Sequence, residues 1–167
     1  MARKNMIAYR EQPLCVHNAA QTLFHKDGKE IRIANKYGLS FMACRPACVV
    51  DLANVVGTLD FVLPGSDERF EELRLYVHRP QLLRLAWEDM SVPPVGLEFW
   101  SKLWDLLPQG ITVITCFGGH GRSGTALAAL LIANGFSAMD AIDYVRTVHC
   151  NLAIETLEQE EYLARLR

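Results

Sequence analysis

The run "ITVITCFGGHGRSGTALAALLIA", residues 111–133, limits the possible fold more than any other part of the chain. Ile111 to Thr115 are short-range, β-branched and apolar, the pattern of a buried central strand. Four glycines follow within residues 118–124. Glycine weakens the interior of both helix and strand, so the backbone turns here. From Ser123 to Asn134 alanine and leucine dominate, as in a helix buried on most sides, and Gly135 stops it. A strand, a glycine-rich loop and a buried helix in succession require a sheet beside the strand and other elements over the helix.

The flanking sequence supplies both. Leu97, Trp100, Leu103, Trp104 and Leu107 recur at helical spacing between Val95 and Leu107, and "PQG" at 108–110 ends that helix. Ser137 caps a further helix with Asp140 at its third position, and Met139, Ile142, Val145 and His149 mark its inward face. A last helix runs from about Thr156, with Thr156 and Gln159 in capping-box spacing and Tyr162, Leu163 and Leu166 turned inward. Toward the N-terminus "ACVVDLA" (47–53) reads as a buried strand, and "LRLYV" (73–77) and "LLRLAW" (82–87) as two more. "KEIRIA" (29–34) reads as an edge strand and 62–72 as loop. The expected architecture is α/β: a central, mostly parallel sheet of about four to five strands flanked by helices. No linker divides the chain, so residues 1–167 are expected to form one domain.

With 17 basic and 19 acidic residues the net charge is −2, which favours neither general nucleic-acid binding nor an anionic membrane. The longest apolar run (126–136) is too short to span a bilayer, and the N-terminus lacks the apolar core of a secretory signal. Five irregularly spaced cysteines point to a reducing, cytoplasmic setting, and nothing suggests more than a monomer.

A strand entering a glycine-rich loop at a helix N-terminus is a geometry for binding an anion: loop N–H groups converge and the helix end adds positive potential. Gly118, Gly119 and Gly121 allow close approach of the main chain. Cys116 lies at the base of this cradle, where the same N–H groups stabilise a thiolate. Arg122 offers a planar fork matching two oxygens of a phosphate. A tetrahedral oxyanion held over a strong nucleophile is the arrangement for covalent phosphoryl transfer. The loop lacks the lysine of a nucleotide-hydrolase P-loop. Gly119, Gly121 and Gly124 do satisfy G-x-G-x-x-G, but no second strand carries the acidic partner a dinucleotide site requires.

Cys116, five residues and Arg122, followed by Ser123-Gly124-Thr125, resemble the C-x5-R signature of the protein tyrosine phosphatase superfamily, in particular its small dual-specificity branch. The resemblance extends over about Leu82 to Leu163. It implies Cys116 as nucleophile and Arg122 as clamp on the phosphate and transition state. Phe117, Gly118, Gly119, His120 and Gly121 complete the phosphate-binding loop, and Ser123 assists departure of the thiolate. It also implies a general acid on an upstream loop. "AWEDMSVPPV" (86–95) supplies Asp89, with Glu88 as the rival. Gln159 matches a position where some members hold the hydrolytic water, and equally serves as a helix cap. "NKY" (35–37) has a faint likeness to a phosphotyrosine-recognition segment.

Two residues depart from the pattern. Thr115 replaces the histidine that usually precedes the cysteine, its hydroxyl being a partial substitute for the lost hydrogen bonds. His120 is unusual within the loop; a solvent-facing side chain is expected, with added positive charge near the phosphate as the alternative.

The resemblance implies no cofactor and a phosphorylated protein or peptide as substrate. Three other functions stay open: a silent phosphate-binding module, a sulfurtransferase-like cysteine loop, and a phosphatase for RNA 5′-phosphates or phosphoinositides. Cys15, Cys44, Cys48 and Cys150 read as inert thiols. Zinc at "CRPAC" (44–48) with "CVH" (15–17) is weakly supported, since the C-x3-C spacing is loose; no metal is expected.

Overall fold

The computed structural model describes residues 15–56 and 81–166. Five strands form one sheet: β1 (Phe24–Lys26), β2 (Lys29–Asn35), β3 (Cys48–Asp51), β4 (Gln81–Arg84) and β5 (Gly110–Cys116). The spatial order is β1-β2-β5-β3-β4, and all pairings are parallel except the β1–β2 hairpin. The α-helices are α1 (Leu97–Leu106), α2 (Gly121–Ala133), α3 (Ala138–Val148) and α4 (Leu157–Arg165). This is the expected mostly parallel α/β arrangement. The strand expected at 73–77 and the loop at 62–72 lie outside the described residues.

"KEIRIA" is not an edge. The short strand β1 pairs outside it, joined through Asp27 and Gly28 at φ 53° and 77°. Two successive left-handed residues give the turn whose twist suits a tight hairpin, and Asp-Gly is a favoured sequence for it.

Alternation along the strands separates two cores. Ile31, Ile33, Val50, Ile114 and Cys116 face the helices together with Trp100, Leu127, Leu131 and Leu163. Ala34, Val49 and Val113 face the other way, onto Leu39, Met42, Val55 and Val56. Helix α2 is buried from Gly121 to Ile132 because α1, α3 and α4 pack around it, which is why its sequence has no polar face. Gly124 permits that fit: a Cβ there would lie 3.0 Å from Ala153 Cβ and from the Ile154 nitrogen.

Both predicted caps form. Ser137 Oγ accepts the Asp140 N–H at 3.1 Å, and Thr156 Oγ1 accepts the Gln159 N–H at 3.2 Å. On α3 the buried residues are Ala141 and Val145, whereas Met139 is 72% exposed and does not face inward.

Strand register sets the position of the site. Asn35 pairs with Cys116, and Asp51 with Thr115, so the carboxyl ends of β2, β5 and β3 lie level. Ligands of open parallel sheets bind at this edge. Asp51 is fully buried there; Oδ1 accepts the N–H groups of Ala53 and Val55, and Oδ2 that of Val56, which fixes the turn leaving β3.

Candidate active site

Cys116 ends β5 and is 2% exposed. Its Sγ accepts the Gly119 N–H at 3.2 Å. Gly119 has φ 78°, a left-handed conformation that L side chains adopt at a cost, and a Cβ there would lie 3.0 Å from Asn35 Cβ. Glycine is therefore needed to fold the amide back over the sulfur.

The loop is held from outside by side chains that sequence reasoning did not assign to it. Asn35 Nδ2 donates to the Gly118 carbonyl at 3.4 Å and to the Cys15 carbonyl at 2.6 Å, while its Oδ1 accepts the Gly38 N–H. His149 Nε2 meets the Gly119 carbonyl at 2.7 Å. Both positions had a visible residue, Asn35 in "NKY" and His149 at the end of α3, but nothing local to link either one to the loop.

Thr115 does not supply the support expected of it. It is fully buried, and Oγ1 has no hydrogen-bond partner among the described residues. Nor does His120 face solvent: its Nε2 lies 3.0 Å from His17 Nε2, and its Nδ1 is 4.0 Å from Glu155 Oε1. Burial lowers the proton affinity of His120, which works against a positive charge beside the cysteine loop.

Arg122 opens α2 and is 8% exposed. One terminal nitrogen donates to the Trp87 carbonyl at 3.0 Å, and the other lies 3.3 Å from Asp89 Oδ1. The loop at 86–95 is thus tied to the arginine through Asp89, whose side chain is 65% exposed. That loop has its own internal bonds: Trp87 Nε1 donates to the Ser91 carbonyl, and Ser91 Oγ donates to the Glu88 carbonyl. Met90 has φ 60°, a strained value for this residue.

Two buried donors at the start of α2, Arg122 Nε and Ser123 Oγ, have no hydrogen-bond partner among the described residues. Buried polar groups in folded proteins are nearly always bonded, so orphaned donors beside a cysteine loop mark a place built to receive acceptor atoms. Phe117 is 47% exposed at the rim, with the Tyr37 ring 6.2 Å away and Lys36 Nζ 5.0 Å from its centroid.

Gln159 is fully buried. Its Oε1 accepts the N–H groups of Glu155 and Thr156, and its Nε2 donates to the Ser91 carbonyl at 3.3 Å. It therefore closes the capping box of α4 and anchors the 86–95 loop. Glu155, a residue that no motif singles out, accepts a hydrogen bond from the Gly121 main chain. Burial, and next the Asp89 carboxylate, raise its proton affinity.

Among known proteins, an uncharacterized protein of Methanocaldococcus jannaschii is 36% identical over 100 residues. The match takes in 57% of this chain, and the chain spans 60% of that relative's length. Tk-PTP in its active form superposes with a TM-score of 0.56 at 25% identity, covering 87% of this chain and 95% of that one. The kinase associated phosphatase, with its catalytic cysteine substituted by serine, superposes with a TM-score of 0.55 at 17% identity, covering 92% and 94%. No family model matches the sequence.

Proposed function

Starting from a chain with the architecture of the small dual-specificity branch of the protein tyrosine phosphatase superfamily, we propose that it is a cysteine-dependent phosphomonoesterase acting on phosphorylated protein or peptide. One observation carries this reading. The Cys116 sulfur accepts a main-chain amide of the loop that leads into Arg122 and Ser123, whose buried Nε and Oγ have no partner among the described residues, and Arg122 pairs with Asp89.

The chemistry follows from that placement. The Arg122 guanidinium and the loop amides hold the phosphate oxygens. The Cys116 thiolate attacks phosphorus, the S–P bond forms, and the bond to the leaving oxygen breaks as Asp89 gives that oxygen a proton. Water then attacks phosphorus with Asp89 as base. The S–P bond breaks, and the Ser123 hydroxyl donates to the departing thiolate. Gln159 acts by holding the Ser91 end of the acid loop. Exposed Phe117 and Tyr37 supply an aromatic rim, which favours an aryl phosphate such as phosphotyrosine.

Phosphate release from an aryl phosphate tests the reading. Cys116→Ser abolishes turnover, and Asp89→Asn lowers kcat by about 10²- to 10⁴-fold, most for leaving groups that need a proton. Unchanged turnover in Cys116→Ser overturns the mechanism. The orphaned Thr115 hydroxyl favours a second reading, a silent phosphate-binding module; binding of phosphopeptide with no phosphate release identifies it.

A further inference from the structure

Outside the phosphate cradle, the fold brings together two thiols and two imidazoles. Cys15, His17, His120 and Cys150 each place one donor atom within 4.8 Å of all the others, the only such group among the described residues. They come from three places: the segment before β1, the phosphate loop, and the turn after α3. Cys44 and Cys48, the other two cysteines considered for zinc, take no part.

We propose that Cys15, His17, His120 and Cys150 form a tetrahedral zinc site that fastens the N-terminal segment and the α3–α4 turn to the phosphate loop.

Donor chemistry selects the metal. Two sulfurs and two imidazole nitrogens are the set that structural zinc sites use. With bond lengths of about 2.3 Å to sulfur and 2.0 Å to nitrogen, tetrahedral geometry separates donors by about 3.3–3.8 Å. The observed separations therefore require movements of only about 1 Å. His17 and His120 already present Nε2 to Nε2 at 3.0 Å. The Glu155 carboxylate faces the other nitrogen of His120, where metal-bound histidines commonly have an acidic partner.

The donors are in place before any ion arrives. The His17 carbonyl accepts the Asn35 N–H at 2.8 Å, and the Cys15 carbonyl accepts Asn35 Nδ2.

The test uses the full chain, reduced and stripped with chelator, then titrated with cobalt(II) and afterwards zinc(II). One cobalt per chain is expected, with thiolate-to-cobalt charge-transfer bands and tetrahedral ligand-field bands that zinc displaces. Zinc also raises the melting temperature. Cys15→Ser and Cys150→Ser each weaken binding by about tenfold or more, while Cys116→Ser keeps the full spectrum. The proposal is overturned if no thiolate–cobalt spectrum develops. It also fails if the spectrum survives Cys15→Ser but vanishes in Cys116→Ser, or if Cys15 and Cys150 form a disulfide that takes up no metal after reduction. Since the readout is metal binding, the outcome is independent of phosphate hydrolysis.

Discussion

Arg122 has more donors than the protein occupies. Two terminal nitrogens bond to Trp87 and Asp89, and buried Nε has no partner. A lysine keeps the charge but loses the fork. Arg122→Lys is therefore expected to lower kcat/KM on an aryl phosphate by about 10²- to 10³-fold with the melting temperature nearly unchanged. A variant that turns over normally removes the arginine from the mechanism. At this scale residue type and short spacing suffice to select Cys116, Arg122, Ser123 and Asp89 as candidates. The same cues misjudge Thr115 and His120, whose roles depend on partners far along the chain. His17 lies 103 residues from His120, and nothing in "GGHGR" indicates that it is there.

Among the elements, the ends were easier to place than the faces. The α4 cap was readable because Thr156 and Gln159 satisfy one another within a single turn. Less foreseeable was the further bond from Gln159 Nε2 to the Ser91 carbonyl, which makes a helix cap the anchor of the acid loop. Thr156→Ala should destabilise the protein by about 1 kcal/mol. It should also lower kcat more than it changes KM, because the acid loop loses its fixed end. Denaturant melts and steady-state kinetics check the two effects; a kinetic profile identical to the parent separates the cap from the loop. The β1–β2 hairpin turning at Asp27-Gly28 makes "KEIRIA" an inner strand, whereas its sequence pattern by itself reads as an edge. Its mixed polar and apolar pattern resembles an exposed strand, while Lys29 and Arg32 in fact bond to the Trp104 and Ala19 carbonyls. Met139 was assigned inward by periodicity alone, which cannot tell where a helix outruns its neighbour.

For the molecule as a whole, a cluster of three imidazoles around the phosphate loop links folding to pH. Burial lowers the proton affinity of His17, His120 and His149, with His17 brought to about 4. The unfolded chain titrates near about 6.5. Between those values the unfolded state binds more protons, so stability falls as pH drops from about 6.5 toward 4 and is insensitive to these groups above that range. Glu155, with its raised affinity, contributes a smaller opposite slope at the acid end. Melting temperatures of the chelator-treated, metal-free protein measured across this interval should fall, and His17→Gln should flatten the fall. An equal slope in that variant removes His17 as the cause.

What the amino-acid order determined alone is local: which segments become strand or helix, where caps stop them, and the grouping of cysteine, glycines and arginine on one loop. Those outcomes depend on interactions within a few residues, which one segment carries wherever it is placed. Only tertiary structure brought Asn35 and Asp51 level with Cys116, set Asp89 against Arg122, and gathered Cys15, His17, His120 and Cys150. These contacts depend on strand register and on the packing of α2 among its neighbours, and both are settled by burial of surfaces supplied from distant parts of the chain.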